Sequence, residues 1–216
     1  MKTKQLSRKD REFLQRRLEI LESGLKLFSE KGLHGVTMQD IAKESEFAVG
    51  TVYKFFNNKE DLCRALLIEK IDEMQKQVDK AIGSGKDELE ALRSYLETLF
   101  REVKKNRDFF RIYLVEMKSD FRMDEELRAR LEQTLNRLAE MFERGIQKKI
   151  FKDFDPHLLA TFYQGILSAV FERFVFYADE HLPDAEIIMR IFFESVLLDP
   201  DLHGSSASST KTGQSR

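Results

Sequence analysis

Apolar residues recur at helical spacing along most of this sequence. The first such stretch predicts a helix from Asp10 to Lys31, which Gly32 ends. Its apolar positions are four and three residues apart: Leu14, Leu18, Leu21, Leu25 and Phe28. Because this spacing places them on one face, the helix is expected to support the elements that follow it.

Residues 36–61 predict two short helices that are joined by a tight turn and followed at once by a longer helix. Thr37 with Asp40 three residues later is typical of a helix N-terminus and predicts a helix from Met38 to about Ser45. The second helix is predicted from about Val49 to Phe55. This layout is that of a helix-turn-helix DNA reader.

The second short helix buries too little surface to be stable alone, so its two faces are expected to have different roles. Three apolar side chains can hold it to the domain: Val52, Phe55 and Phe56. Three others can offer a hydroxyl, a phenol and an ammonium group to phosphates or base edges: Thr51, Tyr53 and Lys54. Asn58 then predicts the cap of a third helix, whose N-terminus is a natural phosphate site.

The third helix is predicted to continue to Ile82, and Gly83-Ser84-Gly85 after it predicts a hinge between two domains. Beyond Lys86 every periodic pattern is helical. The expected helices span residues 89–103, 109–117, 127–150, Pro156 to about Ala178, and Pro183 to about Leu198. Residues 203–216 are rich in Ser, Thr and Gly and predict a disordered tail.

The order and spacing of several residues in the N-terminal region, over about residues 13–73, resemble those of TetR-family transcriptional regulators. These residues are Gly32, Gly35, Thr37, Ile41-Ala42, Gly50-Thr51-Val52-Tyr53, Phe56 and Lys59-Glu60-Asp61-Leu62. The resemblance implies an all-α fold of about nine helices, with an N-terminal three-helix helix-turn-helix DNA-binding domain at residues 13–73 (motif about 36–55). It also implies a C-terminal helical domain for ligand binding and dimerisation at residues 84–200.

The resemblance further implies which residues contact operator DNA. Those expected on phosphates are Thr37, Tyr53 and Lys59, and those expected near major-groove base edges are Val49, Gly50, Thr51 and Lys54. Met38, Ala48 and Asn58 complete the expected DNA-binding set. A palindromic operator needs a twofold homodimer, which is expected to form as a four-helix bundle through the last two helices of each subunit.

The turn between the two short helices departs from the family pattern. The family usually has Ala-Gly-Val-Ser or a close variant there, whereas this chain has Ser45-Glu46-Phe47-Ala48. A residue other than glycine in the left-handed conformation costs about 1–2 kcal/mol, so either Glu46 bears that strain or the turn is built differently. Ala48 cannot cap the second helix with its side chain, a loss of about 1 kcal/mol.

The net charge of −2 is unevenly distributed along the chain. Residues 1–60 contain twelve Lys and Arg against nine Asp and Glu, and residues 1–17 contain seven against two. A basic arm of this kind can lie along phosphates or in a minor groove, or it can be a frayed, solvated terminus. Both interpretations stay open.

Phenylalanine is frequent, with eighteen residues, most of them after Leu99. These aromatic helices could enclose a pocket for a small apolar or aromatic effector, or they could form a plain core. The candidate pocket residues are Phe109, Phe110, Tyr113, Met117, Phe121, Phe142, Phe162, Tyr163 and Phe171. The last two helices are apolar around much of their circumference, which indicates either a dimer interface or an ordinary core helix.

Other classes of protein fit the sequence less well. It has no phosphate loop, dinucleotide fingerprint or nucleophile elbow, and its four histidines lack metal-ligand spacing, so no enzyme, metal or cofactor is expected. Cys63 is the single cysteine and is expected to be a small buried residue rather than a redox switch. No signal peptide or membrane span is visible, so the cytoplasm is the expected location.

The sequence therefore predicts a homodimeric, ligand-responsive transcriptional regulator, most often a repressor in this family, that a small effector releases from double-stranded operator DNA. One alternative is a helical carrier of small molecules or lipids. Such a carrier would not need the pattern between Thr37 and Asp61. Another alternative is a regulator that a protein partner controls.

Overall fold

The computed structural model describes residues 7–82, 85, 87–118, 125–177 and 183–196. Over these residues the protein has nine α-helices and no β-strand, as the sequence predicted. The helices are α1 (Arg8–Lys31), α2 (Met38–Glu44), α3 (Val49–Val52), α4 (Lys59–Ile82), α5 (Glu88–Lys105), α6 (Arg107–Lys118), α7 (Glu125–Gln147), α8 (Pro156–Phe176) and α9 (Ala185–Val196). Three predicted features lie outside the described residues: the arm at residues 1–6, Gly83-Ser84 of the expected hinge, and the tail at 203–216.

Helix α1 begins at a side-chain cap and ends at a glycine. The Ser7 hydroxyl accepts the Asp10 N–H at 3.2 Å, and Gly32 ends the helix in a conformation with φ 70°. The predicted apolar stripe is wrong in its first half, because every described residue before Arg17, Leu14 among them, is exposed, as is Leu18. The buried residues of α1 lie in its second half and include Ile20, Leu21, Leu27 and Phe28, while in the first half the Phe13 ring lies 4.6 Å from that of Phe55.

Helices α1 and α4 cross in close contact at Gly24. A Cβ atom on residue 24 would lie 2.5 Å from a methyl carbon of Leu62, so any larger residue there would require the Leu62 side chain to shift. Leu62 is fully buried, and so is the neighbouring Cys63, as expected from the sequence. The first turns of α4 are therefore held firmly against α1.

The helices of the C-terminal region surround an apolar core that is continuous with that of the N-terminal region. Within it, the Phe142 ring lies 5.6–6.0 Å from three others, centroid to centroid: Phe151, Tyr163 and Phe192. The predicted end of α7 is wrong, because Lys149 adopts a left-handed conformation with φ 59° and Ile150 lies beyond the helix. The core is thus built mainly from aromatic and aliphatic contacts between α5, α7, α8 and α9.

Helix α8 is long and apolar enough to cross a membrane by length and composition alone. Part of its surface packs on α6 and α7, and α6 also fixes its C-terminus. The Arg107 guanidinium donates to the Phe174 carbonyl at 2.8 Å and lies 4.9 Å from the Phe174 ring. These contacts make α8 an integral part of the helical core.

Candidate DNA-binding face and internal cavity

Helix α2 begins in the predicted capping arrangement. The Thr37 hydroxyl donates to the Asp40 carboxylate at 2.6 Å and accepts the Asp40 N–H at 3.2 Å. The hydrogen bond from the Thr37 hydroxyl, and then that from its backbone N–H, lowers the pKa of Asp40. Thr37 is exposed, whereas the Met38 side chain is only 6% exposed and packs inward. Of Met38, only the backbone N–H at the first position of α2 can therefore make the predicted DNA contact.

The turn after α2 keeps the family's backbone shape without the glycine. Glu46 has φ 57°, which is the left-handed conformation. The Phe47 N–H donates to the Ala42 carbonyl at 3.0 Å, and the Glu46 N–H donates to the Lys43 carbonyl at 3.3 Å. This pair of bonds is the Schellman motif that usually has glycine at the left-handed position. Glu46 therefore bears the strain that one of the two sequence interpretations assigned to it.

Helix α3 is shorter than predicted and has one buried face. It ends at Val52, which is fully buried, and residues 53–55 continue as a turn. Ala48 precedes the helix and provides no side-chain cap. The outward face carries four exposed residues: Ala48, Gly50, Tyr53 and Lys54. Val49 and Thr51 are half-buried at the edges of this face.

Gly50 is not required by packing within the subunit. A Cβ atom on residue 50 would have no neighbour within 4 Å, and its backbone does not adopt a positive φ. The free space lies on the outward face of α3. Glycine at this position therefore leaves room for a molecule outside the protein to approach the helix closely.

The start of α4 lies beside the start of α2. The Asn58 side chain accepts the Asp61 N–H at 2.7 Å, which confirms the predicted cap. The Lys59 ammonium donates to the Val36 carbonyl at 3.0 Å and the His34 carbonyl at 3.3 Å. Lys59 is therefore folded back across the protein, and it places its positive charge between the two helix starts.

A cavity of about 140 Å³ lies inside the C-terminal region, between α4, α5, α6, α7 and α8. Helix α4 contributes five residues to its wall, all from its C-terminal half: Ile71, Met74, Gln75, Val78 and Ile82. The rest of the lining is mostly aromatic or aliphatic. Such a largely apolar cavity with a few polar groups is the usual form of a small-molecule site.

The predicted pocket residues have different positions in the structure. Three of the nine line the cavity: Phe110, Tyr113 and Phe171. Phe109, Phe142 and Tyr163 are buried in the core nearby but do not line it, and Phe162 is 60% exposed on the outer side of α8. The side chain of Met117 and all of Phe121 lie outside the described residues. Phe162 therefore does not belong to the pocket.

A ladder of three ion pairs joins α4 to α7, and of its six residues only Arg137 lines the cavity. Arg64 pairs with Glu126, Arg130 pairs with Asp72 at 2.7 Å, and Arg137 pairs with Asp79 at 2.5 Å. Sequence reasoning missed this ladder, since charged residues on amphipathic helices are usually solvated. The only available signal was the spacing of seven residues between Asp72 and Asp79, and again between Arg130 and Arg137.

Helices α8 and α9 each expose large apolar side chains. They are Leu158, Phe162, Phe176, Ile187 and Ile191. Leu158 and Phe162 are one helical turn apart on α8, and Ile187 and Ile191 are one turn apart on α9. Aligned exposed apolar side chains of this size are typical of a protein interface.

The comparison with known families matches the helix-turn-helix region. The model of the family described as bacterial regulatory proteins, tetR family, matches residues 20–66, from the second half of α1 to the first part of α4. A relative in Bacillus subtilis (strain 168), the uncharacterized HTH-type transcriptional regulator YfiR, is 27% identical over 170 residues. That match covers 76% of this chain and 82% of the relative.

Two solved structures have the same fold. The transcriptional regulator FadR from Bacillus subtilis, in complex with stearoyl-CoA, has a TM-score of 0.75 and 20% identity, covering 81% of this chain and 96% of FadR. AibR, in complex with isovaleryl coenzyme A and operator DNA, has a TM-score of 0.69 and 22% identity, covering 83% of this chain and 97% of AibR. At these identities the likeness extends to the fold alone.

Four observations indicate a helix-turn-helix DNA-binding protein. They are the capped α2, the left-handed turn, the exposed face of α3 and the family match at residues 20–66. We conclude that residues 20–66 form a DNA-binding domain of the kind found in bacterial regulatory proteins of the tetR family, and that the protein is a DNA-binding regulator of transcription.

Proposed function

We propose that the protein is a cytoplasmic repressor that binds a palindromic operator as a homodimer and leaves it when a small, largely apolar effector fills the cavity. The observation that carries this proposal is the position of α4. Its N-terminus adjoins the helix-turn-helix at Asn58 and Lys59, and its C-terminal half forms one wall of the cavity. One continuous helix therefore connects the two sites.

The exposed face of α3 supports the predicted contacts with the major groove. Ala48, Gly50 and Lys54 are exposed there, with Val49 and Thr51 at its edges, and this face is expected to approach base edges. Tyr53 is 48% exposed, so its phenol can reach a phosphate. Thr37, Asn58 and the backbone N–H of Met38 lie at the helix starts, where the charge of Lys59 attracts phosphates.

The apolar surface of α8 and α9 supports a homodimer. Two copies of these helices would cover Phe162 and Ile191 in a four-helix bundle, as predicted from the sequence. A twofold dimer presents two α3 helices to half-sites about 34–36 Å apart on the DNA. A change in the tilt of α4 alters that separation without changing any DNA-contacting residue.

The effector is expected to carry an acyl or aryl group. FadR and AibR, which share the fold, were each solved with an acyl-CoA. The cavity here is about 140 Å³, close to the roughly 150 Å³ of an engineered cavity that binds benzene. It therefore fits a body of about six carbon atoms in its present shape.

Fluorescence anisotropy with the DNA that flanks the gene tests this proposal. We expect tight binding to a fragment with an inverted repeat, weaker binding to scrambled DNA, and a loss of affinity as salt rises. Short-chain acyl and aryl compounds are then titrated into the complex. Equal affinity for the repeat and for scrambled DNA would contradict the proposal of a specific operator. If none of these compounds released the DNA, the proposal of an acyl or aryl effector would be wrong.

A further inference from the structure

We propose that the cavity selects a compact anionic ligand, a carboxylate with an apolar body of about six carbon atoms, and that Arg137 binds its charged end. This inference rests on the proposed function, because it assigns the ligand chemistry of the same cavity. Its basis is the one charged group among the described lining residues, which is the Arg137 guanidinium.

The guanidinium of Arg137 retains donors for a ligand. Its Nη1 donates to the Asp79 carboxylate at 2.5 Å, and its side chain is 33% exposed. A guanidinium has five N–H donors in a planar fork, which suits a carboxylate. No described residue accepts from Nε or Nη2 of Arg137. A ligand carboxylate can therefore bind beside Asp79 or replace it.

Helices α7 and α8 each contribute two polar residues to the lining. Thr134 and Arg137 are about one turn apart on α7, and Gln164 and Ser168 are one turn apart on α8. Ser168 is exposed and Gln164 is half-buried, so the polar residues of α8 reach the surface. The remaining wall, with Phe110 and Phe171 among its residues, is mostly apolar, and its polar groups are the Gln75 amide and the phenols of Tyr95 and Tyr113. A ligand with one apolar end and one anionic end matches this division.

Asp79 connects the ligand's charge to the DNA-binding region. It belongs to α4, and its partner Arg137 belongs to α7. A carboxylate that replaces Asp79 on Arg137 weakens a contact that holds α4 against α7. The contact can yield because ion pairs with this degree of exposure are weak. The same ligand group thus provides both selectivity and a cause for α4 to move.

Calorimetric titration of the full-length protein with hexanoate, hexanamide and hexanoyl-CoA tests the inference. Hexanoate is expected to bind at least about tenfold more tightly than hexanamide, the equivalent of about 1.4 kcal/mol. Arg137→Gln should remove this preference, whereas Arg137→Lys should retain part of it because the charge remains. Asp79→Asn should tighten hexanoate binding by about twofold to fivefold, because a competitor is removed.

Arg130→Gln is the matched control. It removes another ion pair between α7 and α4, that of Arg130 with Asp72, at a residue that does not line the cavity. Its affinity for hexanoate should stay within about twofold of the wild type. Thermal melting of each variant checks that it remains folded.

The outcomes separate this inference from the proposed function. Equal binding of hexanoate and hexanamide, or a preference that Arg137→Gln leaves intact, would overturn the role of Arg137 while leaving the cavity as an effector site. If hexanoyl-CoA were the only one of the three compounds to bind, the anion would be a coenzyme A phosphate, and the proposal of a carboxylate ligand would be overturned. Operator binding with no response to any of the three compounds would count against the proposed effector site itself.

Discussion

Gln75 of α4 donates its side-chain amide to the Thr134 hydroxyl of α7 at 2.8 Å and to the Arg130 carbonyl at 3.0 Å. Both side chains line the cavity, so this polar link lies within a largely apolar wall. A hydrogen-bonded pair in such a place stabilises the contact between two helices, and it leaves an unsatisfied group if one partner is lost.

A double-mutant cycle on this pair is expected to show coupling. Gln75→Leu and Thr134→Val should each reduce the free energy of unfolding by about 1 kcal/mol, and the double variant should lose clearly less than the sum. Urea denaturation of the four proteins measures the difference. Strictly additive losses would mean that the two side chains do not act together in solution.

Glu46→Gly is expected to stabilise the protein. The change removes the strain of a left-handed glutamate but increases the entropy of the unfolded chain, so the net gain should be about 1 kcal/mol or slightly less. Lys149→Gly is the matched control, since Lys149 is the other described non-glycine residue with positive φ. Chemical denaturation should show gains of similar size at both positions. A loss of stability only in Glu46→Gly would reveal a favourable contact of the glutamate side chain.

Gly50→Ala is expected to move stability and DNA affinity in opposite directions. The added methyl group enters open space in the free protein, and alanine favours helix over glycine by about 0.5–1 kcal/mol. The same methyl group should meet the DNA surface and reduce operator affinity. Melting curves and anisotropy measured on the same samples test both effects. Unchanged affinity for the operator would place α3 farther from the groove than proposed.

Glu88 is expected to make stability depend on pH in the acidic range. Its carboxylate is 8% exposed and accepts from the Lys148 ammonium at 2.8 Å, and this hydrogen bond lowers the pKa of Glu88 from its ordinary value of 4.5. The contribution to stability is therefore full above about pH 4.5 and is lost as the pH falls through the lower pKa of the folded state.

Glu88→Gln should consequently be less stable than the wild type by about 1 kcal/mol near pH 7, with a gap that shrinks below pH 4.5. Guanidinium denaturation between pH 3 and 7 provides the measurement. Glu140→Gln, on the exposed side of α7, should show a small gap throughout. A Glu88→Gln gap of constant size across this range would rule out the ion pair as its source.

Phe162→Glu is expected to produce monomers. A charge on the apolar surface of α8 would be buried without a partner in a dimer. Sedimentation velocity should show the mass of one chain, and operator affinity should fall because the two half-sites are no longer bound together. Val115→Glu replaces an equally apolar, exposed residue on α6 and should leave the dimer intact. Dimers of unchanged stability in Phe162→Glu would move the interface elsewhere.

The elements of the DNA-binding region could be predicted because their causes are local. Thr37 and Asn58 accept hydrogen bonds from backbone groups three residues ahead, so four consecutive residues contain the whole interaction. The sequence also predicted which residue would be left-handed if the turn followed the family pattern, because Glu46 stands where the family usually has glycine. Only the choice between strain at Glu46 and a different turn required the backbone angles.

The cavity could not be predicted in the same way. Its wall depends on which faces of α4 and α7 meet, and that is decided by residues far apart in sequence. Helix α8 is apolar around most of its circumference, so periodicity alone cannot tell the outward Phe162 from the inward Phe171. Arg137 was missed because an arginine on an amphipathic helix is usually in solvent.

A rotation of α4 about its contact with Gly24 would act on two arms of unequal length. From Leu62 to Ile82 the helix rises about 30 Å, while only its first turn lies on the other side of the crossing. A displacement of about 3 Å at Ile82 therefore turns the helix by only about 6° at the crossing. Because the arm on the DNA side is short, a small displacement at the cavity end produces only a very small displacement at the DNA end. A compound that fills the cavity without displacing Ile82 would occupy it silently and act as an antagonist of the true effector.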